Sequence, residues 1–215
     1  MNGFLSSSPL INIKVTKGKP PIIQPYSLDE IQSILKICDL DYMQGAKFLA
    51  SRNRAMVLVL LDSGMRLAEM VDMNLIDINQ ESGWITIIGK GDKERIVRIG
   101  SGAQKALWIY LTWRPEGRNE VWLTEEGQPI KRRGIQHMIT TLKRRAGIST
   151  KGTTHRFRHS FAINALKAGC NIIFLQALLG HEDLSMVKRY TAALTMEDAL
   201  KAHIKASPVD FLGLK

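Results

Sequence analysis

Residues 154–169 read Thr154-His155-Arg156-Phe157-Arg158-His159-Ser160-Phe161-Ala162-Ile163-Asn164-Ala165-Leu166-Lys167-Ala168-Gly169. The spacing predicts a helix from Thr154 to Ala168, stopped by Gly169. His155 and Arg158 stand three apart and share one face, while Phe157 and Phe161 share another that can enter a core. An Arg and a His projecting from the first turns of a helix suit an anion, because the free amides and the helix dipole add to the guanidinium. A plain solvated basic face has the same pattern. His155 and His159 have the i, i+4 spacing of zinc ligands, but Arg156-Phe157-Arg158 lies between them. There is no Glu in the base position, and two positive charges repel a cation, so no metal is expected.

The helix lies inside a longer segment, Gly127 to His181, that holds ten Lys or Arg and no Asp or Glu. The 215-residue chain has 30 Lys+Arg against 20 Asp+Glu, so 20 basic and 20 acidic residues remain elsewhere and this one segment carries the whole net charge of +10. A surplus so localised points to a polyanion, with nucleic acid first and anionic membrane second. With 45% hydrophobic residues there is material for a core of one large domain or two small ones. The longest apolar run, Ala55 to Leu61, is too short to cross a bilayer, and the N-terminus lacks a charged start followed by an apolar stretch. Cys38 and Cys170 form neither a disulfide framework nor a cysteine zinc site. A soluble protein in a reducing cytoplasm is expected.

Outward from this segment the chain reads as mainly helical. Residues 1–26, with Ser6-Ser7-Ser8-Pro9 and Lys17-Gly18-Lys19-Pro20-Pro21, read as unstructured or linker. Ser27-Leu28-Asp29-Glu30 is a capping box with Tyr26 and Ile31 as a hydrophobic staple, and Leu28, Ile31, Ile34 and Leu35 follow at helical spacing to about Ile37. Further helices are expected at Lys47 to Asp62, from Arg66, at Gly102 to Trp113, Gly134 to Ala146, Ile172 to Leu179, Ser185 to Tyr190 and Met196 to Ile204. Trp84 to Ile88 and Arg95 to Ile99 flank Gly89-Lys90-Gly91-Asp92-Lys93-Glu94 and read as a β-hairpin. The fold class is therefore mainly α (α+β), a helical domain with a small antiparallel sheet.

Four more short signals have ordinary readings when taken singly: Arg66 after a Gly64 turn with Glu69 three residues on, Lys90 at a glycine-flanked hairpin tip, Gly180-His181 at a helix end, and Tyr190 nine residues later. In order and spacing they say more. Ser63-Gly64-Met65-Arg66-Leu67-Ala68-Glu69, Gly89-Lys90-Gly91-Asp92-Lys93, His155-Arg156-Phe157-Arg158-His159, Leu178-Leu179-Gly180-His181 and Tyr190 together resemble the catalytic domain of tyrosine recombinases, the phage-integrase family, over about residues 25 to 200. That resemblance implies a site-specific recombinase or integrase that cuts and rejoins DNA without metal, ATP or other cofactor.

By the resemblance, the catalytic groups fall on Arg66, Lys90, His155, Arg158, His181 and Tyr190, with Lys93 a nearby competitor for the lysine role. Charge grows on the nonbridging phosphate oxygens as a pentacoordinate transition state forms, so Arg66 and Arg158 would clamp them and His181 would donate a further hydrogen bond. Tyr190 would attack, passing its proton to His155, and Lys90 would protonate the departing 5′-hydroxyl. Glu69 and His159 are expected in support, with His159 packed and hydrogen-bonded beneath the site. Lys131, Arg132, Arg133, Lys143, Arg144, Arg145, Lys151 and Arg156 are expected on the DNA side, as phosphate contacts that hold register but read no sequence.

The resemblance also implies double-stranded DNA as partner, a tetramer on DNA from protomers monomeric when alone, a place in the cytoplasm or nucleoid of a prokaryotic host, and possible accessory DNA-bending proteins. The expected layout is residues 1–26 as linker and remnant of an N-terminal DNA-binding domain, 27–205 as the catalytic domain and 206–215 as a C-terminal tail that docks on its own domain or on a neighbouring protomer. On this reading the chain is a fragment of a longer integrase. The rival readings are a non-catalytic DNA-binding remnant, which the intact set from Arg66 to Tyr190 opposes, and strand cleavage of the type IB topoisomerase kind.

Overall fold

The computed structural model describes residues 24–89, 94–150, 152, 154–180, 190–191 and 194–206. Among them are α1 (Leu28–Met43), α2 (Lys47–Ser63), α3 (Leu67–Val71), a 3-10 turn (Leu75–Asp77), strands β1 (Trp84–Ile88) and β2 (Glu94–Arg98), α4 (Ser101–Trp113), α5 (Arg132–Arg145), α6 (Thr154–Lys167), α7 (Ile172–Leu179) and α8 (Met196–Ala206). This is the mainly helical architecture with a two-stranded antiparallel sheet read from the sequence. None of these helices is long and apolar enough to cross a membrane.

The capping box is present: Glu30 N–H donates to Ser27 Oγ at 3.1 Å and Ser27 N–H to Glu30 Oε2 at 2.9 Å. Both staple residues, Tyr26 and Ile31, are buried. Two expectations for this region need correction. Leu28, counted on the apolar stripe, is 68% exposed, and α1 runs on to Met43. Residues 1–23 lie outside the described residues, but Gln24 to Tyr26 are no loose linker. Tyr26 N–H donates to Ser160 Oγ on α6 at 2.8 Å, and its ring packs 4.6 Å from that of Phe157.

α2 is the central element, packed on α1, α4 and α6 and touching β2. Its Ala55, Met56, Val57, Val59 and Leu60 are essentially unexposed, as an apolar run covered on several sides requires. The hairpin pairs Trp84 with Arg98 through Ile88 with Glu94, one residue earlier on the second strand than expected. Ile85, Ile87 and Val97 face the core. Val121 to Leu123 threads the core beneath α4, where Trp122 stacks on Tyr110 at 5.4 Å. The principal core extends through Ile135, Met138, Ile139 and Leu142 of α5 to Phe157 of α6. A smaller apolar cluster joins Ala162 and Ile163 of α6, Leu175 and Leu179 of α7, and Tyr190. Of the expected Ser185 to Tyr190 helix, residues 185–189 lie outside the described residues, and Tyr190 is helical.

Candidate active site

Two left-handed glycines end the helices that lead into the site. Gly64 (φ +60) closes α2 and Gly180 (φ +61) closes α7, a conformation in which a Cβ would crowd the carbonyl that follows. Directly after Gly64 and Met65, Arg66 caps α3 in extended geometry. Glu69, one turn on, folds back so that Oε2 accepts the Arg66 N–H at 2.6 Å and Oε1 accepts from Arg66 Nη1 at 2.9 Å. The Glu69 side chain is 4% exposed. A second arginine reaches the same carboxylate from β2: Arg95 Nη1 donates to Oε1 and Nη2 to Oε2, each at 2.8 Å. Burial alone would favour the neutral acid. Hydrogen bonds from Arg95 and from the Arg66 amide outweigh it, holding the Glu69 carboxyl below the usual carboxylate range and therefore ionised.

Arg158 leaves the second turn of α6 and is buried. Its Nη1 donates to the Gly64 carbonyl at 2.7 Å and its Nη2 to the Leu179 carbonyl at 2.5 Å. The end of α7 gathers the other two arginines as well: Arg95 Nε donates to the Leu178 carbonyl at 3.1 Å, and Arg66 Nη2 lies 3.4 Å from the Gly180 carbonyl. Three guanidiniums from three separate elements thus meet three successive carbonyls at the negative end of one helix, where cations are favoured. Burial and then the charge of Arg66 lower the Arg158 pKa to about 10, against the opposing pull of Glu69 and Tyr190. It remains a cation at pH 7.

Tyr190 is 6% exposed and sits in the α6–α7 cluster, its ring centroid 5.4 Å from that of His159. His159 is half-buried, and its Nδ1 has no hydrogen-bond partner among the described residues. His159 therefore packs on Tyr190, and among the described residues no hydrogen bond is made at that nitrogen. Burial, followed by the charges of His155 and Arg158, pushes the His159 imidazole below its usual range, so the ring is neutral at pH 7. His155 is exposed at the start of α6.

Of the sequence-derived site, Arg66, Glu69 and Arg158 meet at the end of α7, and His159 and Tyr190 meet on the adjoining cluster. Lys90, Lys93, Lys151 and His181 lie outside the described residues. Among the basic residues assigned to DNA, Lys131, Arg132, Arg133 and Arg144 are exposed along α5 and its entry, and Arg145 is exposed but paired with Asp41 through two bonds of 2.6 and 2.7 Å. Two of the assignments are corrected. Lys143 is buried, its Nζ donating to the carbonyls of Thr150 at 2.6 Å and Gly152 at 2.7 Å. Arg156 is buried too, bound to Glu30 at 2.7 Å, to the carbonyls of Gln24 and Pro25, and lying 4.1 Å over the Tyr26 ring. Both tie backbone together from inside, so neither faces a phosphate.

Arg95 was missed. The signal was available: period-2 alternation puts Arg95 on the same side of β2 as Val97, which is core-facing, and a charge on that side needs an opposite charge.

The chain's residues 26–197 match the phage integrase family. The chain belongs to that family. It is 33% identical over 209 residues to tyrosine recombinase XerD of Listeria innocua, covering 93% of this chain and 69% of the relative. With tyrosine recombinase XerC of Lactobacillus delbrueckii subsp. bulgaricus it shares 34% identity over 196 residues, 88% of this chain and 65% of the relative. The crystal structure of XerA recombinase superposes with a TM-score of 0.71 at 27% identity, over 92% of this chain and 68% of the other. That of XerH site-specific recombinase bound to its palindromic difH substrate shares the fold, with a TM-score of 0.69 at 24% identity over 88% of this chain and 54% of the other. The chain is accordingly a tyrosine site-specific recombinase.

Proposed function

We propose that this recombinase cuts and rejoins double-stranded DNA with Tyr190 as the nucleophile and Arg66 and Arg158 as the phosphate clamp. The observation that carries the reading is the meeting of these two guanidiniums, from α3 and α6, at the α7 terminus beside the cluster that seats Tyr190. The Tyr190 oxygen bonds to phosphorus as the bond from phosphorus to the 5′ oxygen breaks. The phenol proton passes to His155, and the 5′ oxygen leaves as a hydroxyl with a proton from Lys90. His181 adds a hydrogen bond to the phosphate. The 3′-phosphotyrosyl link conserves the ester, so a 5′-hydroxyl from another strand reverses the step and joins the two. Arg66 and Arg158 oppose the charge that grows on the nonbridging oxygens, and removing one such donor costs about 3–4 kcal/mol in the transition state.

DNA lies along the basic face of α5, with Lys131, Arg132, Arg133 and Arg144 on its backbone. The work is done by a tetramer assembled on DNA from protomers monomeric in solution. Met196, Leu200 and Ile204, exposed on one side of α8, are the apolar stripe offered to a neighbouring protomer.

A nicked duplex carrying the recombination site tests this reading, because loss of the short 5′ piece traps the covalent stage. A denaturation-resistant protein–DNA adduct that disappears in Tyr190→Phe is expected. Persistence of the adduct in that variant would overturn the nucleophile assignment, and the absence of any adduct alongside retained binding would favour a binding module.

A further inference from the structure

We infer that Arg95 is a positioning residue for strand cleavage, acting through Glu69 to aim the Arg66 guanidinium at the scissile phosphate; the inference rests on the reading of Arg66 as a phosphate clamp. Glu69 has one carboxylate and two arginines to serve. Arg66 takes only one oxygen with its side chain, at 2.9 Å, and leaves that side chain 36% exposed. Arg95 takes both oxygens at 2.8 Å with its own side chain 12% exposed. Bidentate guanidinium–carboxylate pairing fixes the carboxylate plane as a single contact cannot. The plane of Glu69, and with it the acceptor that the Arg66 side chain leans on, is therefore set by Arg95 together with the Arg66 backbone N–H, which donates to Oε2 at 2.6 Å. The third Arg95 nitrogen, Nε, donates to the Leu178 carbonyl, so the same side chain also fixes the distance between the Arg66 turn and the end of α7, where Arg158 is held.

The division of labour follows from exposure. Arg66 has donors left over and an open side toward solvent, whereas all three nitrogens of Arg95 are spent on protein acceptors. Arg95 also adds a charge that Glu69 needs: without it, a buried carboxylate would be matched only by an arginine whose other task is to hold DNA, and the two tasks would compete. With it, Glu69 is neutralised by Arg95, and Arg66 keeps its charge for the phosphate.

The test compares single-turnover strand cleavage of two nicked substrates, one with an ordinary scissile phosphodiester and one with a methylphosphonate there, which lacks one charged oxygen and so needs the clamp less. The variants are Arg66→Met, Arg95→Met, Arg95→Lys and the Arg66→Met/Arg95→Met double variant. For each variant the ratio of the two rates is read, so a reduced folded fraction cancels. Loss of the clamp in Arg66→Met should slow phosphodiester cleavage roughly 10²–10³-fold and methylphosphonate cleavage far less. Arg95→Met should show the same bias at roughly 10–100-fold, the size typical of an outer group that orients a reacting one. Arg95→Lys, which keeps the charge but not the fork, should fall between, and the double variant should be no slower than Arg66→Met within about twofold, because residues acting as one unit are not additive. Equal losses on both substrates, or losses that multiply in the double variant, would overturn the inference while leaving the Arg66 reading in place. Wild-type phosphodiester cleavage by Arg66→Met would instead overturn that reading and the inference with it.

Discussion

Replacing Arg156 with Met removes the charge that fastens residues 24–30 to α6 while keeping an unbranched stem to fill the space. Arg156 donates to Glu30 Oε1 at 3.0 Å and Oε2 at 2.7 Å, to the carbonyls of Gln24 at 3.1 Å and Pro25 at 2.9 Å, and to Thr150 Oγ1. Breaking a buried pair by deleting one partner costs about 3–5 kcal/mol. Glu30 retains 18% side-chain exposure and its Ser27 cap, so part of that cost is returned by water, leaving about 2–3 kcal/mol. For a chain of this size that lowers Tm by about 5–10 °C. The pH dependence gives an independent check. Burial opposes ionisation of Glu30, but hydrogen bonds from Arg156, the Ser27 amide and Thr150 prevail and hold its carboxyl below the usual value. A depressed folded pKa means stability that is complete above the unfolded value of about 4.3 and is lost as pH falls through the folded one. Thermal melts followed by circular dichroism should therefore show the gap between wild type and Arg156→Met at full size at pH 7 and reduced near pH 3, where the contacts to the carbonyls, to Thr150 Oγ1 and to the Tyr26 ring remain. A gap under about 0.5 kcal/mol at pH 7, or one of equal size at both pH values, would show that the Arg156–Glu30 pair does not carry this stability.

Gly64→Ala places a methyl group inside the Phe161 ring at φ +60; backbone strain of about 1–2 kcal/mol plus displacement of Phe161 should give a clear loss of Tm, and because the Gly64 carbonyl holds Arg158, slower cleavage by the folded fraction. Wild-type melting and cleavage would show that this turn yields to a methyl group without strain. Lys143→Met should destabilise by about 1–3 kcal/mol without changing the salt dependence of DNA binding, whereas Arg133→Ala should lower the salt slope by about 1; salt titrations of a fluorescent duplex separate the two. Tyr110→Phe removes a hydroxyl that donates to Val121 O at 2.9 Å and accepts from Leu123 N–H at 3.1 Å, and denaturant unfolding should register about 1–3 kcal/mol.

Local signals carried far in the sequence. A capping box and staple marked the start of α1, glycines marked the ends of α2 and α7, and runs of β-formers about a glycine-flanked turn marked both strands, because each depends on residues a few positions apart. Contacts across the chain did not show. Arg156 and Lys143 sit in a basic segment and look like surface residues, but what they meet is Glu30, 126 positions away, in one case, and the loop carbonyls of Thr150 and Gly152 in the other. Arg95 pairs with Glu69 across 26 positions, and only its place on the inward side of a strand hinted at it. Arg66 and Arg158 were legible as motifs. Their shared meeting point at the end of α7 required the fold.

That meeting point also determines what a phosphate would displace. Peptide oxygens restrain a guanidinium without cancelling its charge, whereas a carboxylate does both. Among the described residues Glu69 binds Arg66 and Arg95, while Arg158 is held on backbone carbonyls at the same helix end. On the proposed reading, a phosphodiester arriving there exchanges with the neutral backbone acceptors of Arg66 and Arg158, while Glu69 keeps its two-oxygen pair with Arg95. On that reading the helix end is a provisional ligand that keeps Arg66 and Arg158 aligned until DNA takes its place.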